Sequence, residues 1–503
     1  MKQLNKSLTK ADMNAAVEYN IQENLPEKVL QIGEGNFLRG FIDWLIQQMN
    51  NKGVFNGKVV VAQPINFGKM IDMLNEQDCL YTVVLQGVQN GQVVDKSEVI
   101  SSISRALDTY NQWDEVLAVA ASSDLEIVIS NTTEAGITYV QEEFTEGVVP
   151  ESYPAKLTAL LYHRYKAFNG SADSGLVIVP CELIEENAVK LKELVLQLAS
   201  EWNLPAEFTT WLEESNKFCN TLVDRIVPGY PRDTIDEVTE MLGYKDNLIV
   251  VGEPYHMFAV DGDEEVQEKL PFHKAGLNIK WGDITPHREL KVRLLNGPHT
   301  MMFSAAYLYG VDMVLEVMEN ETLRKFVNQG FSEIMPTVHS EESEKVAFVE
   351  AVTERFLNPY TKHYLTDIGL NAVYKFKSRL LPSVKRYVES EGTLPKTITF
   401  SLASLFAFYR PIRQEENALI GNRNGVEYTM RENDNVIEAL ATGWGKFEAG
   451  EMSINGLVTT LLADESIWSE DLNQIPGLTD AVTSYLQQIV DEGMKASVES
   501  LVK

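Results

Sequence analysis

The sequence predicts an α/β protein made of a doubly wound N-terminal domain, residues 1–282, and a mainly α-helical C-terminal domain, residues 283–503. In the first part, short apolar runs typical of buried strands alternate with helical stretches, which is the pattern of a parallel sheet covered by helices. In the second part, helical periodicity dominates and strand signals are few. A chain of 503 residues is long enough to give each part its own core.

The first βαβ unit opens the N-terminal domain. An apolar strand at 29–32 runs into a glycine-containing turn at 33–39, after which apolar residues recur at helical spacing. A second strand follows at 59–62, so the crossover has the length that parallel strands require. Downstream, Asn90-Gly91 suits a tight type I′ turn and predicts a hairpin. The remaining predictions are buried strands at 125–129, 176–179 and 248–251, and helices through 290–308, 344–356 and 365–381.

Composition and charge exclude several functional classes. The formal charge of −30 opposes binding to nucleic acid, because phosphate contacts need a cationic surface. The same charge means that an acidic substrate would have to be held by a local cationic pocket. No apolar run is long enough to span a bilayer, so we expect no membrane insertion and a cytoplasmic protein. Three widely spaced cysteines without a CxxC pair fit a reducing compartment.

The glycine turn is a candidate dinucleotide site. Gly33 and Gly35 match the first two glycines of a Rossmann-type fingerprint, in which the backbone approaches a pyrophosphate at a helix N-terminus. Leu38 stands in place of the third glycine, so an ordinary βα turn is the alternative. The candidate cofactor-binding residues are Ile32, Gly33, Glu34, Gly35, Asn36, Phe37, Leu38 and Arg39.

Two further strand ends bear on the cofactor. The segment after the second strand, 62–66, offers neither a carboxylate for an adenosine ribose nor an arginine for a 2′-phosphate, which mildly favours NAD. The strand at 125–129 leads into a polar segment at 130–136, whose Asn131 and Thr132 are placed to line the cofactor. A helix cap made by Thr132 or Thr133 is the alternative.

Lys291, Asn296 and His299 form the candidate catalytic group. In an α-helix, Asn296 and His299 are i,i+3 neighbours, and Lys291 lies about 12 Å from His299 along the axis. Reduction of a ketone needs a proton donor and hydrogen bonds to the developing oxyanion, which these residue types can supply. Gly297 and Pro298 can distort the turn between them. The alternative is a solvent-facing lysine, a capping asparagine and a core histidine.

This trio is similar to the signature of the mannitol dehydrogenase family, the polyol-specific long-chain dehydrogenases, in which asparagine and histidine follow a lysine at this spacing. The glycine turn resembles the family's GxGxFxR variant. Residues 180–187 resemble the segment that supplies a second oxyanion asparagine, here Asn187, although Leu183 replaces another asparagine common there. Further matches cover nearly the whole chain: SNTTEAGI at 130–137, SYPAKLT at 152–158, TLVDRIV and GYPRD within 221–233, LNGPHT at 295–300, RFLNPYTKH at 355–363, GTLP at 392–395 and AFYR at 407–410.

The resemblance implies a reversible, NAD-dependent oxidoreductase that reduces the ketone of a small-molecule sugar acid without a catalytic metal. It implies that Lys291 is the general acid/base, that Asn296 and Asn187 bind the oxyanion, and that His299 binds substrate. In agreement with the metal-free expectation, the seven histidines form no HxxxH-type ligand pattern.

Candidate substrate contacts lie in two further segments. Asn220 and Asp224 resemble a family segment near the substrate, and the alternative is a structural, salt-bridged turn with Arg225. Lys375, Lys377 and Arg379 are cationic candidates for a substrate carboxylate, and the predicted site includes Asp224, Lys375 and Arg379. Most such cations on helices are merely solvated, which is the alternative here.

Two other functions stay open. One is a different enzyme of the same family, acting on another keto sugar acid or on a neutral sugar. A cationic residue that faces the substrate carboxylate would discriminate between acid and neutral substrates. The other is a dinucleotide-binding sensor without turnover, because a fold alone does not fix function.

Overall fold

The computed structural model describes residues 1–133, 135–416 and 418–503. The chain divides into two compact units, Met1–His287 and Arg288–Lys503. The first unit is α/β and the second is mainly helical, so the predicted fold class is confirmed. The functional domain ranges 1–282 and 283–503 stay a prediction. Glu134, which belongs to the predicted polar segment 130–136, lies outside the described residues.

The first unit alternates strands with helices. Its strands are β1 Glu18–Tyr19, β2 Glu27–Ile32, β3 Lys58–Gln63, β4 Tyr81–Gln89, β5 Gln92–Ile100, β6 Ile103–Asp108, β7 Ile127–Ser130, β8 Val177–Pro180, β9 Lys217–Phe218, β10 Thr221–Asp224, β11 Val250–Gly252, β12 Met257–Val260 and β13 Ile279–Trp281. Its helices are α1 Asn36–Gly40, α2 Ile42–Asn51, α3 Met70–Glu76, α4 Trp113–Ala120, α5 Tyr153–Ala167, α6 Asn187–Glu201, α7 Ala206–Ser215, α8 Ile235–Leu242 and α9 Glu264–Lys269.

A six-stranded sheet in the order β6-β3-β2-β7-β8-β9 forms the centre of this unit, and all its neighbouring strands are parallel. Counted along the chain, this is the strand order 3-2-1-4-5-6 of dinucleotide-binding doubly wound folds. The order reverses between β2 and β7, where Ile32 pairs with Ser130. The segments that follow these two strands therefore meet at the edge of the sheet where such folds bind their ligands.

Strand β2 shows why both faces of this sheet are covered. Val29 packs into one hydrophobic cluster, whereas Leu30 and Ile32 pack into another. Successive strand residues point to opposite faces, so a strand without polar alternation must be buried on both sides. The predicted strands at 29–32, 59–62, 125–129 and 176–179 overlap β2, β3, β7 and β8.

The predicted hairpin is also confirmed. Strands β4 and β5 pair antiparallel around Asn90 and Gly91, whose φ angles are 53° and 71°. Positive φ at both central residues is the requirement of a type I′ turn. The hairpin belongs to a separate sheet, β1-β5-β4-β11, so the predicted strand at 248–251 overlaps a strand outside the parallel sheet.

The second unit is built from helices around one large hydrophobic cluster. Its elements are α10 Thr285–Lys291, a π-helical segment Val292–Asn296, α11 Gly297–Tyr309, α12 Val314–Glu319, α13 Glu321–Ile334, α14 Glu342–Phe356, α15 Leu365–Ile368, α16 Ala372–Arg379, α17 Leu381–Glu391, α18 Lys396–Phe408, β14 Arg413–Glu415, β15 Ala418–Arg423, β16 Val426–Met430, α19 Asp434–Glu448, α20 Ile454–Leu462, α21 Glu465–Trp468, α22 Leu478–Glu492 and α23 Met494–Leu501. Across the described ranges, we find no helix with the length and apolarity needed to cross a membrane.

Candidate active site

The glycine turn follows β2 directly. Gly33 has a φ of +124°, and a Cβ at this position would meet the Asn131 carbonyl oxygen at 3.0 Å. Gly35 precedes α1 with a φ of −68°, and a Cβ there would meet no atom within 4 Å. The protein itself therefore requires glycine at 33, whereas Gly35 leaves open space at the start of a helix, where a phosphate group can approach the backbone.

Arg39 stabilises this turn from the interior. Its side chain is 1% exposed, and its guanidinium donates hydrogen bonds to the Glu34 carbonyl (3.1 Å), the Leu248 carbonyl (2.6 Å) and the Asn36 side chain (2.7 Å). These bonds occupy the guanidinium with protein acceptors, so the structure gives Arg39 a positioning role. In the predicted set, Gly35 is exposed and Glu34, Asn36 and Phe37 are partly exposed, whereas Ile32 and Leu38 are core residues.

A buried polar pair lies beneath the turn. The Gln31 amide donates to the Gly33 carbonyl (3.0 Å) and to the Asp43 carboxyl group (3.2 Å). Asp43 is fully buried, and this burial raises the pKa of its carboxyl group to about 7. Because an unfolded aspartate has a pKa of about 3.9, the folded protein binds a proton more tightly here than the unfolded chain does.

Replacing Asp43 with asparagine is expected to change the pH dependence of stability. Between about pH 4 and pH 7 the free energy of unfolding of the wild type falls by up to about 1.4 kcal/mol per pH unit through this carboxyl group, and above its folded pKa the loss is complete. The thermal midpoint of Asp43→Asn, measured relative to that of the wild type, should therefore be higher at pH 8 than at pH 5. Asp124→Asn removes an exposed carboxylate and serves as the control. An identical difference at both pH values would contradict the assignment.

The polar segment after β7 lies beside the glycine turn. The Asn131 backbone N–H donates to the Ile32 carbonyl (3.2 Å), and the Asn131 amide donates to the Cys181 carbonyl (3.2 Å). Thr132 gives its backbone N–H (2.9 Å) and its hydroxyl (3.1 Å) to the carboxylate of Glu182. Thr132 thus bonds Glu182 rather than capping a helix. Sequence reasoning had assigned no role to Glu182, because the contact joins two strand ends far apart in the chain.

Asn187 is committed to the protein interior. It is 1% exposed, and its amide group donates to the carbonyls of Pro180 (3.0 Å) and Glu182 (3.1 Å) and contacts the Thr221 hydroxyl (3.1 Å). Its oxygen accepts from the backbone N–H of Thr221 (3.1 Å). These bonds join the ends of β8 and β10, and an oxyanion could use the Asn187 amide only if they were broken. The arrangement thus favours a structural role over the predicted one.

The predicted substrate segment after β9 contains two anchoring residues. The Asn220 side chain accepts from the backbone N–H of Ala188 (3.0 Å) and so caps α6. Arg225 is buried and donates to main-chain carbonyls, including those of Glu253 (2.9 Å) and Gly40 (2.8 Å). Asp224 is buried at the end of β10 and has interactions of its own. Asn220 and Arg225 therefore support this edge of the first unit.

The three candidate catalytic residues lie on a continuous but irregular helical stretch. Lys291 ends α10, Asn296 ends the π-helical segment, and His299 lies in the first turn of α11. Pro298 lacks an N–H and its ring would clash with the carbonyl of an α-helical turn, which the wider π turn relieves. The Gly297 backbone N–H donates to the Val292 carbonyl, five residues earlier.

The π turn changes which side chains share a face. An α-helix would place Lys291 and Asn296 about 140° apart around its axis. A π turn bonds residues five apart, so it brings such residues towards the same side. Both residues are half-buried. The five-residue spacing of Lys291 and Asn296 is therefore compatible with a shared face, and single π turns are frequent at functional sites.

His299 is a neutral, buried imidazole. Its ring lies 4.5 Å from the Phe356 ring and 4.7 Å from the His363 ring, measured between centroids. Burial lowers its pKa well below 6.5, and the neighbouring His363 together with the cations Arg355, Arg379 and Lys375 lowers it further. Its Nε2 atom is buried without a hydrogen-bond partner among the described residues. Such an atom can bind a substrate hydroxyl.

The structure separates the cationic candidates of α16. Lys375 and Arg379 both contribute to the positive surroundings of His299. Lys377 instead donates to the Ile467 carbonyl (3.0 Å) and the Ser469 hydroxyl (2.7 Å). Sequence reasoning missed Arg355 and His363, although both lie in the quoted stretch at 355–363. Their positions depend on how α14 and the segment after it pack around His299, which has no local signal.

The residues of the first unit fit a dinucleotide. The strand order, the open space at Gly35 and the polar segment after β7 meet the requirements of a pyrophosphate site at the switch point of the sheet. After β3, the Gln63 amide donates to the Ile65 carbonyl (2.8 Å), and residues 62–66 contain no charged side chain. Among the described residues, no three or more His, Cys, Asp or Glu side chains are grouped so that they could hold a metal ion.

Comparison with known proteins extends these observations. The family model of the mannitol dehydrogenase Rossmann domain matches residues 27–274, and that of the mannitol dehydrogenase C-terminal domain matches residues 283–490. The chain is 51% identical to an altronate oxidoreductase of Halalkalibacterium halodurans over 95% of this chain and 94% of that protein. It is 44% identical to an altronate oxidoreductase of Bacillus subtilis over 96% of both chains.

Two solved structures share the fold across 99% of this chain. One is Pseudomonas fluorescens mannitol 2-dehydrogenase in a ternary complex with NAD and D-mannitol, with a TM-score of 0.70, 20% identity and 99% of that chain covered. The other is a substrate-free D-sorbitol dehydrogenase, with a TM-score of 0.80, 19% identity and 100% of that chain covered. On the two family models and the full-length relatives, this chain belongs to the mannitol dehydrogenase family.

Proposed function

We propose that this protein is an NAD-dependent oxidoreductase that reduces D-tagaturonate to D-altronate, reversibly, in hexuronate catabolism. The observation that carries the proposal is the 51% identity, over 95% of the chain, to a relative named altronate oxidoreductase. The positive surroundings of His299 support an acidic substrate in a protein whose formal charge is −30. Three free, buried cysteines are compatible with a cytoplasmic location.

NAD is the proposed cofactor, and NADH supplies the hydride when it is bound. Gly33 and Gly35 shape the turn that receives the pyrophosphate, while Asn131 and Thr132 line the adjacent strand end. Residues 62–66 contain no arginine to bind the 2′-phosphate of NADP, which favours NAD. Arg39 and the Gln31–Asp43 pair fix the shape of this turn from below.

The chain's own residues handle the proton and the oxyanion. Lys291 donates a proton to the oxygen of the reacting ketone and takes it back in the reverse reaction. The Asn296 amide donates a hydrogen bond to the same oxygen as negative charge develops. The neutral His299 bonds a substrate hydroxyl through Nε2. Asn187 is assigned a structural role because its amide is already bonded, which leaves Asn296 as the amide donor.

Steady-state oxidation of NADH, followed by absorbance, tests the proposal. We expect efficient turnover with D-tagaturonate, weaker turnover with D-fructuronate, and little with D-fructose, and a preference for NADH over NADPH. Activity confined to D-fructuronate or to a neutral ketose would support the proposed ketone reduction but show that D-tagaturonate is not the substrate. Binding of NADH without turnover of any of the three would instead support a non-catalytic sensor.

A further inference from the structure

Arg379 is hydrogen-bonded to the helical stretch that carries Lys291, Asn296 and His299. Its guanidinium Nη1 donates to the Thr300 hydroxyl at 3.1 Å. The same hydroxyl donates to the Asn296 carbonyl at 3.1 Å. Thr300 is 1% exposed and follows His299 directly. One buried hydroxyl therefore joins the last residue of the π segment to the arginine side chain.

A second anchor fixes the main chain of the same arginine. Arg293, within the π segment, donates to the carbonyls of Ser378 (3.0 Å) and Arg379 (2.8 Å) at the end of α16. Both ends of Arg379 are thus tied to the stretch that carries Lys291, Asn296 and His299. This arrangement fixes the distance between the Arg379 guanidinium and the side chains of Lys291, Asn296 and His299.

The Arg379 guanidinium lacks an anionic partner within the described parts of the chain. Its only hydrogen bond there goes to Thr300, and burial lowers its pKa without any carboxylate to oppose the shift. Lys375, one turn earlier on α16, donates to the Ile368 carbonyl (3.0 Å). A half-buried cation beside another cation is costly unless an anion joins them.

Two carboxylates lie near these cations, and neither is paired with Arg379. The charge of Glu432 acts on Lys375, whose pKa it raises against the effect of burial. Glu432 accepts hydrogen bonds from the Val373 backbone N–H (2.6 Å) and the Tyr409 hydroxyl (2.8 Å), so that one of its oxygens caps α16. Asp367 is exposed, and its charge acts on His363. The guanidinium of Arg379 matches the planar, two-oxygen geometry of a carboxylate ligand better than an ammonium group does.

We propose that Arg379, positioned by Thr300 and aided by Lys375, binds the carboxylate of the substrate and makes the site select sugar acids over neutral sugars. The inference rests on the proposed function and adds a specificity-determining residue and a positioning residue to it. Thr300 does not touch the substrate. It holds the guanidinium at a set distance from Lys291 and Asn296, so that the acid end and the ketone end are bound together.

The test compares D-tagaturonate with D-tagatose, which has a hydroxymethyl group in place of the carboxylate. Arg379→Met should lower kcat/KM for D-tagaturonate about 30- to 100-fold, mainly through KM, and leave that for D-tagatose within about twofold. Thr300→Val should lower kcat/KM for D-tagaturonate about 5- to 10-fold. Thr300→Ser should keep most of the wild-type kcat/KM, because serine retains the hydroxyl. Lys377→Met is the matched control, because it removes a charge from the same helix. Since the Nζ of Lys377 bonds the 467–469 segment, this variant should leave kcat/KM unchanged for both substrates.

Each outcome bears on the inference. Equal losses on D-tagaturonate and D-tagatose in Arg379→Met, or a Thr300→Val enzyme that matches the wild type, would overturn it while leaving the proposed function intact. Failure of the wild type to reduce D-tagaturonate would overturn both. Where D-tagatose reacts too slowly, the Kd values of D-altronate and D-altritol for the NAD-loaded enzyme supply the same ratio. Arg379→Lys keeps a positive charge and provides a second variant if Arg379→Met unfolds.

Discussion

Replacing Lys291 with alanine is expected to lower the rate of ketone reduction about 1,000-fold while leaving NADH affinity nearly unchanged. The lysine lies at the junction of α10 and the π segment, and the π turn brings it towards the same side as Asn296. The methyl group of alanine has no acidic proton, so it cannot protonate the product oxygen. Rapid-mixing measurement of NADH oxidation separates this chemical step from cofactor binding, which fluorescence titration reports.

Chemical rescue sharpens this prediction. If Lys291 is a proton donor, a small primary amine added to Lys291→Ala should restore part of the rate, whereas a merely structural lysine would not respond. Lys325→Ala removes an exposed lysine of α13 and should behave as the wild type. Wild-type turnover by Lys291→Ala would remove Lys291 from the mechanism.

Replacing Gly35 with alanine should weaken NADH binding at least about tenfold without lowering the thermal midpoint. A Cβ at this position meets no protein atom within 4 Å, and its φ of −68° suits any residue, so the folded chain accepts alanine. The added methyl group would instead stand where a pyrophosphate approaches the backbone. Calorimetric titration with NADH and a thermal scan measure the two effects separately.

Two comparison variants define the expected contrast. Gly33→Ala should lower both the thermal midpoint and NADH affinity, because position 33 has a φ of +124° and a Cβ there meets the Asn131 carbonyl at 3.0 Å. Gly445→Ala adds a methyl group within α19, where a Cβ meets no atom within 4 Å. This variant should lower neither the thermal midpoint nor the affinity for NADH. Undiminished NADH affinity in Gly35→Ala would rule out the glycine turn as the pyrophosphate site.

The strands of the parallel sheet were predictable because their signal is local. Apolar runs such as 59–62 identify buried strands, and positive φ at Asn90-Gly91 follows from residue type alone. The small sheet β14-β15-β16 was missed, although its hairpin β15-β16 turns at Asn424-Gly425, whose φ angles are 54° and 90°. This is the same residue pair that predicted the first hairpin, so the local signal was present and was overlooked.

The sequence proposes residue types for the candidate site, but it does not give the geometry that relates them. The sequence placed Lys291, Asn296 and His299 on one helix, yet the π segment that relates them arises from Pro298 and the packing around it. The hydrogen bonds between Asn187 and Thr221 could not be predicted, because Thr221 lies on another strand. Lys377 resembled Lys375 and Arg379 in sequence, and only the tertiary contacts of α16 separate them.

Transfer of deuterium from labelled NADH tests the central claim most directly. Protein, D-tagaturonate and NADH that carries deuterium at both C4 positions of the nicotinamide are incubated together, and the product is examined by NMR. The proposed function predicts D-altronate with deuterium on the carbon that was the ketone, formed by the wild type and nearly absent with Lys291→Ala. NADH binding without labelled D-altronate from the wild type would contradict it.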